Sequence, residues 1–210
     1  AGRQPACAVT HQRELGCWGS NSHGQTDVPE GEYTSVSVGK YGSCGIRSDQ
    51  TAVCWGYNSH GQLVVPDGAF IQMAMGYTFA CGLREDGTTE CWGDGSDGLD
   101  SPPVEPLTEI AAGYYHICGL RTDRTLVCWG DAAAGGDGYP SGTFDGVTSG
   151  DNYSCALTTD GMAMCWGTDT WATQAAAGEF THIDGGGHHV CGLNPAGATI
   201  CWGHCGSGEC

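Results

Sequence analysis

Cysteine, tyrosine, histidine and aspartate are the side chains of this sequence whose spacing could support chemistry, and the cysteines are the most regular. Twelve of the fourteen form six pairs, each ten positions apart: Cys7 and Cys17, Cys44 and Cys54, Cys81 and Cys91, Cys118 and Cys128, Cys155 and Cys165, Cys191 and Cys201. That spacing is not the short Cys-x-x-Cys step of a zinc knuckle. An even, dense set of cysteines instead implies disulfides formed in an oxidising, extracytoplasmic compartment. Each pair is expected to close locally, and the remaining two, Cys205 and Cys210, to pair with each other. Such a bridge closes a loop of about ten residues and stabilises the chain by about 2–3 kcal/mol in the chain-entropy view.

A second set of candidates recurs just before each first cysteine: Lys40-Tyr41-Gly42, Tyr77-Thr78-Phe79, Tyr114-Tyr115-His116, Asp151-Asn152-Tyr153 and Gly187-His188-His189. Rigidly presented tyrosines make good binding anchors. Tyr41, Tyr77, Tyr114, Tyr115 and His188 are therefore the candidate binding residues, whereas Phe79, His116, Tyr153 and His189 are assigned to packing. Asn58 and His60, in the loop after Trp55, are assigned to the opposite rim. Asp94-Gly95-Ser96-Asp97-Gly98-Leu99-Asp100 spaces three carboxylates as some calcium loops do, but the distal glutamate of an EF-hand is absent, so it reads as a solvated turn. His182, Asp184, His188, His189 and His204 cluster without a zinc-type helical spacing, and no metal or other cofactor is expected. Asn152-Tyr153-Ser154 is a glycosylation sequon. No hydrolase, metalloprotease or phosphate-loop signature occurs.

What must position these residues is a repeat. The cysteine pairs recur every 37 residues, with a last step of 36, and each second cysteine opens a Cys-Trp-Gly triplet at Trp18, Trp55, Trp92, Trp129, Trp166 or Trp202. Periods in this range mark propellers and solenoids. Between the cysteines lies a turn such as Glu85-Asp86-Gly87 or Thr159-Asp160-Gly161, where glycine suits the left-handed third position of a three-residue hairpin loop. Gln50 and Arg124 hold that position in two copies and should be strained. Strand alternation puts Ile46, Leu83, Leu120, Leu157 and Leu193 on the cysteine face. It puts the tryptophans with Val53, Val127, Met164 and Ile200 on the other, facing Gly45, Gly82, Gly119, Ala156 and Gly192. Two apolar faces mean that each sheet lies between neighbours. An upstream strand (Val36-Ser37-Val38-Gly39, Met73-Ala74-Met75-Gly76, Ile110-Ala111-Ala112-Gly113) and a weak downstream strand complete a four-stranded blade. The first copy lacks its upstream strand, so the first and last blades are expected to meet imperfectly, with Gly203 to Cys210 at the join.

The run Ile110-Ala111-Ala112-Gly113-Tyr114-Tyr115-His116, followed by Gly119-Leu120, Thr122-Asp123 and Trp129-Gly130, resembles the regulator-of-chromosome-condensation repeat. So does Trp55-Gly56-Tyr57-Asn58 with Gly61-Gln62-Leu63. The resemblance extends over essentially the whole chain and is weakest after Gly167. It implies a β-propeller, usually of seven blades, and similar repeats occur in secreted bacterial proteins that inhibit β-lactamase. It also implies a buried role for the histidine position held by Phe79, His116, Tyr153 and His189. This chain departs from the pattern in having six copies, with a cysteine pair in each.

The expected fold is thus all-β: one propeller domain over residues 1–210, with repeats at about 1–32, 33–69, 70–106, 107–143, 144–179 and 180–210, each stapled by a hairpin disulfide. With 24 acidic against seven basic side chains and a formal charge of −17, the chain repels phosphate backbones and anionic membranes, which excludes nucleic acid as a partner. No apolar stretch approaches the ~20 residues of a spanning helix, and no signal-type segment opens the chain, which reads as a mature secreted protein. The expected function is an extracellular module that offers one loop rim to a protein, as an inhibitor of an enzyme for instance. The alternatives are a carbohydrate-binding lectin, against which the unlike loop tripeptides argue, and a hydrolase or lyase acting at the channel mouth.

Overall fold

The computed structural model describes residues 5–204, so the expected Cys205–Cys210 pair lies outside the described residues. The chain forms two compact units, Ala1–Pro106 and Leu107–Cys210. The first holds β1 (Ala6–Val9) and β2 (Leu15–Trp18), then β3 (Tyr33–Val38), β4 (Gly42–Arg47) and β5 (Ala52–Gly56), then β6 (Gln72–Met75), β7 (Phe79–Leu83) and β8 (Thr89–Gly93). The second holds β9 (Leu107–Ala112), β10 (His116–Arg121) and β11 (Leu126–Gly130), then β12 (Phe144–Ser149), β13 (Tyr153–Thr158) and β14 (Ala163–Gly167), then β15 (His182–Gly185), β16 (His189–Leu193) and β17 (Thr199–Gly203). Each group is one antiparallel sheet, here called a blade; blade 1 has two strands and blades 2 to 6 have three.

The weak fourth strand is not formed among the described residues. Its place is taken by turns and bends, which Pro66, Pro102, Pro103 and Pro106 favour because proline cannot donate to a ladder. Left-handed glycines such as Gly61 (φ 77°) and Gly68 (φ 115°) break the extended path further.

Within a blade the cysteines face each other in register, as Cys44↔Cys54 and Cys118↔Cys128 do, and all six expected hairpin disulfides are formed. The intervening turns close as the spacing requires: Arg84 N–H donates to Thr88 O at 2.9 Å, and Gly87 supplies φ 84°. Gln50 and Arg124 adopt φ 67° without being glycine, as does Arg13 at φ 64°, so three turns carry left-handed strain. In three of these turns an aspartate clamps the threonine two residues on: Asp49, Asp86 and Asp123 accept from the amide and hydroxyl of Thr51, Thr88 and Thr125. Those donors hold the three carboxyls below their ordinary pKa.

Blades stack cysteine face on tryptophan face. In the first unit Cys44 and Ile46 of blade 2 pack on Phe70, Met73, Met75 and Ala80 of blade 3. In the second, Cys118 and Leu120 meet Phe144, Val147, Ala156 and Trp166, and Cys155 and Leu157 meet Phe180, Ile183, Val190 and Trp202. The small residue past the first cysteine makes room for a large one at the start of the same sheet: a side chain at Gly45, Gly82, Gly119 or Gly192 would strike Tyr33, Phe70, Leu107 or Phe180. Four of the tryptophans also lock their blade to the loop of the blade before it. The indole N–H groups of Trp55, Trp92, Trp166 and Trp202 donate to Gln25 O, Gln62 O, Gly135 O and Ala172 O at 2.9, 3.0, 3.1 and 3.2 Å.

Candidate functional site

Antiparallel order fixes which loops share an end of a blade. Val38 pairs with Ser43 and Gly42 with Gly56, so the first strand's end, the second strand's start and the third strand's end lie together. The turn Ser48-Asp49-Gln50 closes the other end. This corrects one expectation: Asn58 and His60, which follow Trp55-Gly56, stand on the same end as Tyr41, not on the opposite rim. Tyr57 N–H donates to Tyr41 O at 2.8 Å, which ties the two loops directly.

At this loop end of the first unit the structure gathers Tyr41, Tyr77 and Lys40 of the expected loops into a cluster with two residues, His23 and Tyr57, that the sequence did not group with them. The Tyr41 ring lies 5.3 Å from Tyr77, 6.1 Å from Tyr57 and 4.6 Å from His23, and His23 is 5.1 Å from Tyr57. Lys40 Nζ sits 5.3 Å from the Tyr41 ring centroid and 5.6 Å from that of Tyr77, within cation–π range. His23 is brought in by the loop Asn21-Ser22-His23-Gly24-Gln25, which recurs identically as Asn58-Ser59-His60-Gly61-Gln62. In both copies the buried glutamine holds the histidine amide, Gln25 Oε1 accepting from His23 N at 2.8 Å and Gln62 Oε1 from His60 N at 2.9 Å. The serine hydroxyl meets the ring Nδ1 at 2.8 and 2.6 Å. That exact duplication, and the residue after each Trp-Gly, were the signals that could have found His23 and Tyr57.

The other candidates lie in the second unit. Tyr114 and Tyr115 meet edge to face at 6.2 Å, with Tyr115 the more exposed at 37 %. His188 bridges two nearly buried carboxylates, Nδ1 to Asp169 Oδ2 at 2.7 Å and Nε2 to Asp151 Oδ2 at 3.2 Å, with about half of its own side chain exposed. Asp151 N donates to Gly187 O and Tyr114 N to Asp151 O, so these loops form one continuous edge. His188 is thus a tethered residue rather than a free anchor. Asn152 of the sequon is half-buried on this edge, its carbonyl accepting from Thr168 N and Asp169 N.

The position assigned to packing is buried at Phe79, His116 and Tyr153 and half-buried at His189. Where it is Gly42, Met75 fills the space. His116 Nε2 lies 2.8 Å from Ser154 Oγ, which in turn is 2.7 Å from Ser149 Oγ. Both His116 and Ser154 have zero exposure, so this is a core network beyond the reach of a substrate, not a serine–histidine catalytic pair. Burial pushes the His116 pKa down to about 4. The single proton of the Tyr153 hydroxyl is shared between Gly186 O at 2.8 Å and His189 O at 2.5 Å, and its pKa is raised by burial and by Asp169, Asp151 and Asp184. Among the described residues no three histidine, cysteine, aspartate or glutamate side chains converge as a metal site.

Cations are segregated by end. Lys40 stands at the loop end, whereas Arg47, Arg84 and Arg121 close second strands at the turn end and bind backbone there: Arg47 donates to Glu30 O, Arg84 to Asp67 O, and Arg121 to Leu126 O. Arg84 also pairs with Glu90 and lies 4.3 Å over Phe70. These three arginines are therefore structural struts.

Comparison with known proteins places these features. The model of the regulator of chromosome condensation (RCC1) repeat matches residues 33–62, 107–135 and 144–170. The crystal structure of the CRINKLY WD40 ectodomain of the Arabidopsis thaliana receptor kinase ACR4 is similar with a TM-score of 0.78 and 30 % identity, covering 95 % of this chain and 76 % of that one. The ectodomain of the Physcomitrella patens receptor kinase CR4 gives 0.82 at 28 % identity, over 95 % of this chain and 59 % of its own. Prp20p of Saccharomyces cerevisiae, studied for its binding to Gsp1p and histones, gives 0.74 at 17 % identity, over 96 % and 70 %, and shares the fold alone. No curated protein sequence matches the chain significantly.

Proposed function

Since this chain belongs to the RCC1-repeat family of β-propellers, each of its blades stapled by an intra-blade disulfide, we propose that it is an extracytoplasmic binding module that grips a protein partner through the loop end of its blades. The observation that carries this reading is the cluster of His23, Tyr41, Tyr57 and Tyr77 around Lys40. Aromatic side chains held against one another lose little entropy on binding and dominate interface energetics. Disulfide density supports an oxidising compartment, and the 30 % identical plant relative is the ectodomain of a receptor kinase. The unlike tripeptides at equivalent positions favour one asymmetric protein surface over a sugar site repeated in every blade.

The test is an affinity measurement. A partner captured on the immobilised chain from its native extracellular milieu is purified, and its affinity is compared for wild type, Tyr41→Ala/Tyr77→Ala, and the exposed turn-end control Glu85→Ala/Asp160→Ala. Loss of about 2 kcal/mol, some 30-fold in Kd, is expected for the tyrosine pair alone. Equal affinity for all three removes the loop end from the interface. Whether the captured partner is an enzyme, and is inhibited, is read from its turnover with and without the chain. A glycan array run with the same three proteins decides the carbohydrate reading.

A further inference from the structure

His188 stands where blades 5 and 6 of the second unit meet. Its ring, on the turn between β15 and β16, reaches two carboxylates of blade 5, Asp169 through Nδ1 at 2.7 Å and Asp151 through Nε2 at 3.2 Å. The side chains of Asp151 and Asp169 are 6 and 7 % exposed. An ionised carboxylate can only accept hydrogen bonds, and a neutral imidazole has one ring N–H to give. Two carboxylates held from opposite nitrogens of one ring therefore require the imidazolium, which donates from both. The neutral ring turns a lone pair toward one of them, and a nearly buried carboxylate then loses a charge-assisted donor. At the junction of blades 2 and 3 the same three positions hold Lys40, Asn58 and Thr78, and at that of blades 4 and 5 they hold Tyr114, Ala132 and Asn152. Neither of those sets can make this contact.

We propose that His188 is a proton-operated strap: protonated, it clamps Asp151 and Asp169 and fastens the loop end of blade 6 to blade 5; neutral, it releases Asp151 and that edge loosens. Asp151 is the end that gives, because its contact is the longer and because Asp169 keeps other donors, its Oδ1 accepting from the amides of Trp171 at 3.0 Å and Ala172 at 3.3 Å. The remaining ionisable groups at the junction are Tyr153 on blade 5 and Asp184, His189 and His204 on blade 6. Tyr153 shares its hydroxyl proton with Gly186 O and His189 O, and His204 donates its amide to His188 O at 2.9 Å. Tyr114 of blade 4 reaches the junction through its amide, on Asp151 O. The sign follows from the proton. Fastening is present while the ring is charged and is lost as the pH rises through the range in which histidine gives up its charge, about pH 5 to 8. The strap is a property of the chain by itself, so it stands or falls independently of the partner proposed above.

The reporter is the amide of Asp151, which donates across the junction to Gly187 O at 2.9 Å. Its hydrogen exchange is followed by NMR at the two ends of that range, about pH 5 and about pH 8, and expressed as a protection factor so that the intrinsic pH dependence of exchange cancels. The chains compared are wild type, His188→Gln, which is never charged, and His188→Arg, which is charged at both values. Protection in wild type is expected to fall at least about tenfold at the higher pH, as loss of a charge-assisted hydrogen bond requires. His188→Gln should show the low value throughout and His188→Arg the high one, with near-UV circular dichroism verifying that both are folded. Nitrogen-15 spectra of the wild-type ring give a second reading that needs no variant: both ring nitrogens should carry a proton at the lower pH. Equal wild-type protection at the two values overturns the proposal, as does a neutral ring at the lower one. A pH dependence that survives in His188→Gln also overturns it, by moving the switch to another group of the junction.

Discussion

Glu109 lies on β9 with its carboxylate beside Gly146 of the next blade, where a Cβ would make ordinary van der Waals contact with it at 3.6 Å. Burial there pushes its pKa up to about 7 from 4.5. A raised carboxyl pKa means that the folded chain holds the proton more tightly than the unfolded one. That stabilisation is complete below about pH 4.5 and is lost as the pH rises through about 7. Glu109→Gln should therefore leave stability unchanged near pH 4 and raise it at pH 8 by about 1–3 kcal/mol, read from urea unfolding at the two pH values. An equal effect at both values would place the carboxylate in water. His116 runs the other way: its pKa falls from 6.5 to about 4, so its contribution is present above 6.5 and is lost as the pH drops through 4. His116 was assigned to packing from the sequence, whereas Glu109 was not singled out, because burial of a lone charge in a strand has no local signature. The strained turns at Gln50 and Arg124 were legible, since the glycine of the other copies marks the position.

At the level of the element, the hairpin with its bridge is the unit that repeats, and it was readable in full. Ten-residue spacing, a three-residue turn and alternation of two dictate the register that Cys81↔Cys91 and Cys155↔Cys165 adopt. What could not be read were partners contributed from a distance. Trp55 and Gln25 stand 30 residues apart and Tyr153 bonds to a carbonyl 36 residues on, and no local pattern announces either contact. The fourth strand was over-read from a loop whose prolines and left-handed glycines forbid a ladder. The end of the blade occupied by Asn58 and His60 follows from strand direction once three antiparallel strands are counted. Two reversals restore the chain's direction, so the third strand finishes at the end where the first one does. Replacing Cys44 and Cys54 together by serine is expected to cost about 2–3 kcal/mol while leaving the loop-end cluster assembled, because that cluster is held by Gln25, Tyr57 and Lys40 rather than by the bridge. Chemical denaturation gives the stability, and tyrosine ring-current shifts in proton spectra report the cluster. Loss of the ring-current pattern with the bridge would make the staple part of the site.

On the scale of the whole molecule, charge, staples and aromatic placement are what the proposed recognition role rests on. A chain of net charge −17 keeps its arginine struts at the turn ends and sets Lys40, its single lysine, among tyrosines at a loop end. Among the described residues no helix is long and apolar enough to cross a membrane. The rim residues that the sequence singled out divide into distinct roles: Tyr41 and Tyr77 join one cluster, Tyr114 and Tyr115 pair with each other, and His188 is tied to Asp151 and Asp169. The most direct test of the account is hydrogen–deuterium exchange on the chain alone and with its captured partner. Protection is expected in peptides spanning residues 21–25, 39–42, 56–62 and 76–79, all at the loop ends of blades 1 to 3, with the turns 48–50 and 85–87 unchanged. Protection centred on those turns, with residues 39–42 and 76–79 exchanging freely, would contradict it.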